Sequence, residues 1–137
     1  MRFDDYLLRA LDQFNKAIAR IIKALREDDE QLSESEIAGA YEALLGGDRV
    51  FLGMVDAATL ANLLGSPDKV RVLARLSALD ARLALKRGDV TRSERLQTRA
   101  HELLAIAHRD DPQEGDADLL SDLASLASGA TGRDDDR

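Results

Sequence analysis

The residues best suited to chemistry in this 137-residue chain are its arginines, its two histidines and one acid in an unexpected place. His101-Glu102 opens like the zinc-protease motif, in which a second histidine four residues on shares the metal. Here the next histidine is His108, about 10.5 Å further along a helix that rises 1.5 Å per residue, too far to share one ion. Both rings are expected to point away from the apolar stripe and into solvent. The acids Asp110, Asp111, Glu114, Asp116 and Asp118 lack the spacing of a calcium loop and run into Leu119-Leu120. With no cysteine there is no thiolate ligand or thiol nucleophile. No glycine pattern fits a phosphate loop, and no serine sits in a nucleophile elbow. No catalytic residue, metal or cofactor is expected, and the chain reads as a non-enzyme.

Cations offer more. Advancing 100 degrees per residue along one helix, Arg71, Arg75, Arg82 and Lys86 fall within about 60 degrees and make a single strip. Arg92, Arg95 and Arg99 make a second strip on the following helix, beside the apolar stripe of Leu96, Ala100, Leu103, Leu104 and Ala107. Arginine's planar fork suits carboxylate and phosphate, so the strips are candidates for an acidic peptide or small ligand. The bland alternative is a solvated face, or pairing with acids elsewhere in the chain. Asp80 lies inside the apolar arc of Leu73, Leu76, Leu83 and Ala84, where an unpaired carboxylate is costly. It is expected to meet a cation from another helix at the edge of that arc, or else to line a small polar pocket.

The elements that must position these residues are helices. The apolar residues are almost all Leu, Ala, Ile and Val, and three Phe, two Tyr and no Trp complete them, a composition that belongs to helical packing. Leu7, Leu11, Phe14, Ile18, Ile21 and Leu25 recur at spacings of three and four, predicting one long helix over Phe3 to Leu25 with Phe3, Tyr6 and Ile22 widening its stripe. That seam is also the candidate surface for self-association. An acidic connection over Glu27 to Leu32 leads to a short helix capped by Ser33 or Ser35 and stopped at Gly46-Gly47. Two abbreviated helices follow, Arg49 to Met54 and Ala57 to Leu64, the second capped by Asp56. Val50-Phe51-Leu52 is strand-like but too isolated to find a sheet. Ser66-Pro67 starts a helix that reaches about Arg87. Gly88 ends it, and Asp89 or Thr91 starts its antiparallel neighbour, which reaches about His108. A last short helix carries Leu119, Leu120, Leu123, Leu126 and Ala127, and residues 128–137 are expected to be a disordered tail. The fold class is all-α, about six helices in one domain over residues 1–127.

Net charge is −7, but it is segregated. Residues 1–26 carry +3, residues 27–68 carry −9, residues 69–101 carry +6 and residues 102–137 carry −7. Such alternation lets basic helices lie on acidic ones, and the negative total argues against general nucleic-acid binding. Met1-Arg2-Phe3-Asp4-Asp5 lacks the bases and apolar run of a signal peptide, and no stretch of about 18 apolar residues occurs, so a cytoplasmic location is expected.

From the turn at Gly88-Asp89 onward the hairpin resembles a tetratricopeptide unit: Ser93 and Ala100 are small residues seven apart, and Ala81 is the small residue of the first helix. Ser77, Asp80 and Ala84 stand where that repeat has large side chains, and no second copy follows at a fixed period. Asp5-Tyr6-Leu7-Leu8-Arg9 before a long amphipathic helix also resembles the start of a family of small bacterial helical proteins of unknown function. The second resemblance implies a bacterial, cytoplasmic protein; the tetratricopeptide-like hairpin, with no catalytic constellation beside it, points to an interaction or scaffold protein that binds a protein partner or, through the Leu7 to Leu25 seam, itself in a homodimer. The alternative is a binder of an acidic small ligand or peptide along the arginine-lined face.

Overall fold

The computed structural model describes residues 3–46 and 53–129, which form six helices and, among the described residues, no strand. They are α1 (Phe3–Arg26), α2 (Glu30–Leu45), α3 (Ala57–Leu64), α4 (Pro67–Lys86), α5 (Val90–Asp110) and α6 (Asp116–Ser128). No helix among these residues is long and apolar enough to cross a membrane. The expected helix from Arg49 to Met54 and the strand-like Val50-Phe51-Leu52 fall largely outside the described residues, and Gly53 and Met54 lie in a turn. Of the expected tail, residues 130–137 also lie outside them, while Ser128 is the last residue of α6.

Helix ends follow from local chemistry. Asp56 accepts a hydrogen bond from the Thr59 amide at 2.8 Å to start α3, and this bond pulls the Asp56 carboxyl below its ordinary range. Ser66 caps α4 ahead of Pro67, and Asp89 caps α5 by accepting from the Arg92 amide. Helix α2 corrects the sequence reading: Asp29 caps it, four residues before Ser33, so it runs to 16 residues and is longer than a start at Ser33 or Ser35 would make it. Ser33 is buried inside it and returns its hydroxyl to the Asp29 carbonyl at 2.7 Å. A carboxylate placed to reach the Leu32 amide captured the first turn that the capping-box pattern assigned to Ser33. Gly46, at φ +72°, then takes the left-handed turn that ends α2.

Helix α4 is the centre of the molecule. Thirteen of its twenty residues are buried, and it packs against all five other helices. Its cationic strip, read as a ligand face, a solvated face or a partner for acids elsewhere in the chain, is covered in part as α1, α2, α5 and α6 close over the helix, and Lys86 pairs with an acid of the 27–68 block. The core is accordingly a Leu/Ile/Ala cluster around Leu73, Leu76, Leu79 and Leu83, met by Ile21 and Leu25 from α1, Ile37 from α2, Leu60 from α3, Leu103 from α5 and Leu123 from α6. The α1 seam divides. Ile18, Ile21 and Leu25 are buried in this core, Leu11 and Phe14 are half-buried against it, and Leu7 is half-buried. Tyr6, expected to widen the stripe, is 65% exposed.

The first arginine strip is therefore structural. Arg71 is 7% exposed and holds Asp116, at the start of α6, through Nε at 2.8 Å and an Nη2 bond at 3.0 Å. Its remaining hydrogens reach Asp68, the Asp111 carbonyl and, more weakly, the Ala107 carbonyl, so one guanidinium ties α6 to both arms of the hairpin. Arg75 donates to Asn15 of α1, and Lys86 pairs with Asp28. Arg82 is partly buried with its guanidinium against Gly129, and desolvation, with Arg26 nearby, lowers its pKa. Further cross-pairs, Arg87 with Glu30 and Glu34 and Arg20 with Glu36, neutralise charged blocks against one another. His108 is exposed, as expected, and its Nδ1 in addition lies 2.7 Å from Asp116 Oδ2.

Hydrogen bonds from Arg71, then His108, hold the Asp116 carboxyl well below the usual carboxylate range. A depressed folded pKa contributes stability above the unfolded value, and the contribution is lost as pH falls through the unfolded value toward the folded one. Acid titration followed by circular dichroism is expected to show stability falling below about pH 4. Asp116→Asn should be less stable at neutral pH with a flatter acid limb; an unchanged limb would contradict this role.

Candidate functional site

Two stripes of the hairpin face each other beside Tyr41 of α2 and Leu60 of α3. On α4, Leu73, Ser77 and Asp80 follow one another at spacings of four and three and share a side; on α5, Arg92, Arg95, Leu96 and Arg99 do the same. Because the helices are antiparallel, Asp80 comes opposite Arg92, and Ser77 and Leu73 come opposite the later turns of α5. With Tyr41 of α2, Leu60 of α3 and the turn residues Gly53 and Met54, these side chains enclose a cavity of about 420 Å³. Its size is that of a small-ligand site.

Asp80 is 1% exposed. Its Oδ2 accepts from the Tyr41 hydroxyl at 2.8 Å and from Arg92 Nη2 at 3.3 Å. The acid thus has the cation from another helix that its position demanded, and it also lines a pocket; it sits in the interior rather than at the edge of the arc. Arg92 is held over the cavity by this pair, while Arg99 Nη2 donates to the Val55 carbonyl at 2.5 Å, fixing the α3 approach against α5. Between them Arg95 is exposed, lines the cavity and has no hydrogen-bond or ion-pair partner among the described residues.

Ser77 is the residue the sequence reading passed over as a site. Its hydroxyl oxygen is buried in the cavity wall with no hydrogen-bond partner among the described residues. A buried hydroxyl left unmatched costs on the order of 1–3 kcal/mol, so this atom asks for a partner. The available signal was a small polar residue on an otherwise apolar buried stripe, one turn before Asp80.

The second arginine strip and Asp80 are therefore brought together, while Arg71, Arg75, Arg82 and Lys86 are taken up by packing on other sides of α4. Neither histidine joins the cavity: His101 is bonded to the Gln97 carbonyl in its own helix, and His108 to Asp116. No group of histidine and acidic side chains able to hold a metal occurs among the described residues. Compared with protein families, curated proteins and solved structures, the chain has no match.

Burial and pairing make Asp80 a stability determinant. Asp80→Ala is expected to cost about 2–3 kcal/mol, discounted from a fully buried pair because Arg92 reaches solvent, and Tyr41→Phe about 1 kcal/mol. Urea unfolding of both variants and their double mutant should show coupling; additive losses would mean that the two side chains do not act as a pair.

Proposed function

We propose that this chain is a non-enzymatic binding protein for a small acidic ligand, taken up in the cavity between α4 and α5 with Arg95 as its principal anchor. The observation that carries this reading is Arg95 itself. It is a guanidinium at the mouth of a largely apolar cavity, without a partner among the described residues, flanked by two arginines whose positions are set by Asp80 and the Val55 carbonyl. Arginine so placed binds a planar oxyanion with two parallel hydrogen bonds, and partial exclusion of water by the apolar walls strengthens them. The surroundings support binding rather than reaction, since Ser77 has no histidine beside it to act as a base.

Thermal unfolding with a panel of anions, comprising nucleotides, sugar phosphates, dicarboxylates and aryl or alkyl carboxylates, tests this. At least one class is expected to stabilise the protein, by about 2.7 kcal/mol at one hundred times its dissociation constant. Arg95→Glu should abolish that gain while leaving ligand-free stability nearly unchanged. Stabilisation by no class, or stabilisation that survives Arg95→Glu, would overturn the reading.

A second reading, interaction through α1, is favoured by a separate observation. Tyr6 is 65% and Leu8 64% exposed on a helix whose neighbouring Leu7 and Leu11 are only half-buried. Such a patch supports pairing with another copy or with a protein partner. Light scattering across a wide concentration range should then show mass rising with concentration in the wild type and a constant monomer mass in Leu8→Asp; a constant monomer mass in both counts against self-pairing.

A further inference from the structure

Resting on the acidic-ligand reading above, we infer that the ligand is a small phosphomonoester: its phosphoryl group is held between Arg92 and Arg95, and a compact apolar body lies on Leu96 and Met54. Only the outer part of the cavity lining decides what a ligand meets. Tyr41, Leu60, Leu73, Ser77 and Asp80 are at most 4% exposed and form the sealed wall behind it, whereas Arg95 and Met54 are exposed and Arg92, Leu96 and Arg99 are half-buried. The reachable surface is therefore a row of guanidiniums on one helix with two apolar side chains beside it.

The donors point to a phosphoryl group. Arg92 and Arg95 are three residues apart, so their side chains are neighbours on one face of α5. Arg92 gives Nη2 to Asp80, which leaves Nε and Nη1 without a partner among the described residues, and the whole Arg95 guanidinium is in that state. A carboxylate is planar, and two parallel bonds from one guanidinium engage both of its oxygens, so a second arginine adds little beyond charge. A phosphoryl group has three oxygens that point apart. One O–P–O edge meets Arg95 as a carboxylate would, and the third oxygen reaches Arg92.

The charge agrees. The side chains that line the cavity carry three arginines against one aspartate, and that aspartate steadies Arg92 from behind the wall without presenting an oxygen to the ligand. A phosphomonoester brings about −1.5 to −2 at pH 7, which matches this surplus more closely than a monocarboxylate does. Beside the arginines, Leu96 and Met54 offer apolar surface and no side-chain hydrogen bonds, so an aromatic or short branched body gains there and a sugar does not. A volume of about 420 Å³ is that of a small molecule.

Titration calorimetry tests the inference with phenyl phosphate, phenylacetate, inorganic phosphate, glucose 6-phosphate and a phosphoserine peptide. In the wild type, phenyl phosphate should bind at least about tenfold more tightly than phenylacetate, which has the same ring, and at least about threefold more tightly than inorganic phosphate or glucose 6-phosphate. Arg95→Gln should weaken every probe by about tenfold or more. Arg92→Gln should bring the ratio of phenyl phosphate to phenylacetate affinity down to about one. Should that variant fail to fold, Arg92→Lys keeps a cation beside Asp80 and should still lower the ratio at least about threefold. A ratio that survives substitution of Arg92, or phenylacetate binding as tightly as phenyl phosphate, overturns the phosphoryl assignment, while Arg95-dependent binding of phenylacetate leaves the acidic-ligand reading standing. Equal binding of phenyl phosphate and inorganic phosphate overturns the apolar body, and tighter binding of the phosphoserine peptide overturns the small-molecule source. Binding of no phosphate ester overturns the inference, and only failure of the wider anion panel as well overturns the reading beneath it.

Discussion

A carboxylate in the middle of the most buried helix is the constraint from which much of this structure follows. Asp80 cannot be left alone in an apolar interior, and groups that satisfy it come from different helices, Tyr41 from α2 and Arg92 from α5 among them. Meeting these requirements fixes how α2 approaches the hairpin and holds one arginine of α5 over the cavity. The cavity is the space left beside that polar knot, where Ser77 provides a short side chain and α3 supplies Leu60 as a wall. Stability and recognition are therefore served by neighbouring atoms, and a change at Asp80 disturbs both.

A second polar knot does comparable work at the other end of α4 without making a site. Arg71 spends its donors on Asp68, Asp116 and backbone carbonyls near the end of α5, so its charge is matched. Both knots contain a buried acid and an arginine. They differ in what surrounds them: Arg71 is saturated, whereas Arg92 stands beside Arg95, which has no partner among the described residues, and a buried hydroxyl that lacks one too. That difference separates a structural clasp from a candidate binding centre.

Much of the helical plan was legible in the sequence because its signals are local. Asp56, Ser66-Pro67 and Gly88 punctuate the chain within a few residues of where they act, and the spacing of Leu7 through Leu25 marks α1 by itself. What could not be read was which faces meet. A helical wheel sets Arg71, Arg75, Arg82 and Lys86 on one strip, but whether that strip sees water depends on α1 and α6 folding over it, a matter of contacts far apart in sequence. Likewise Asp80 was conspicuous as an acid within an apolar arc, yet Tyr41, its partner 39 residues away, carried no local mark. Ser77 was visible only as a short side chain where the resembled repeat has a bulky one, and its meaning appears once α3 and α5 are set around it.

The burial of α4 on nearly every side also bears on how such a chain can grow. Repeat proteins lengthen because each hairpin leaves one face for the next to stack upon. Here the central helix has already spent its faces on α1, α2, α3, α5 and α6. An added helical pair would find no leucine ridge of α4 to cover, so insertions and duplications are confined to the outer helices and the turns. The architecture is closed rather than modular, and diversification would proceed by exchanging side chains around the cavity.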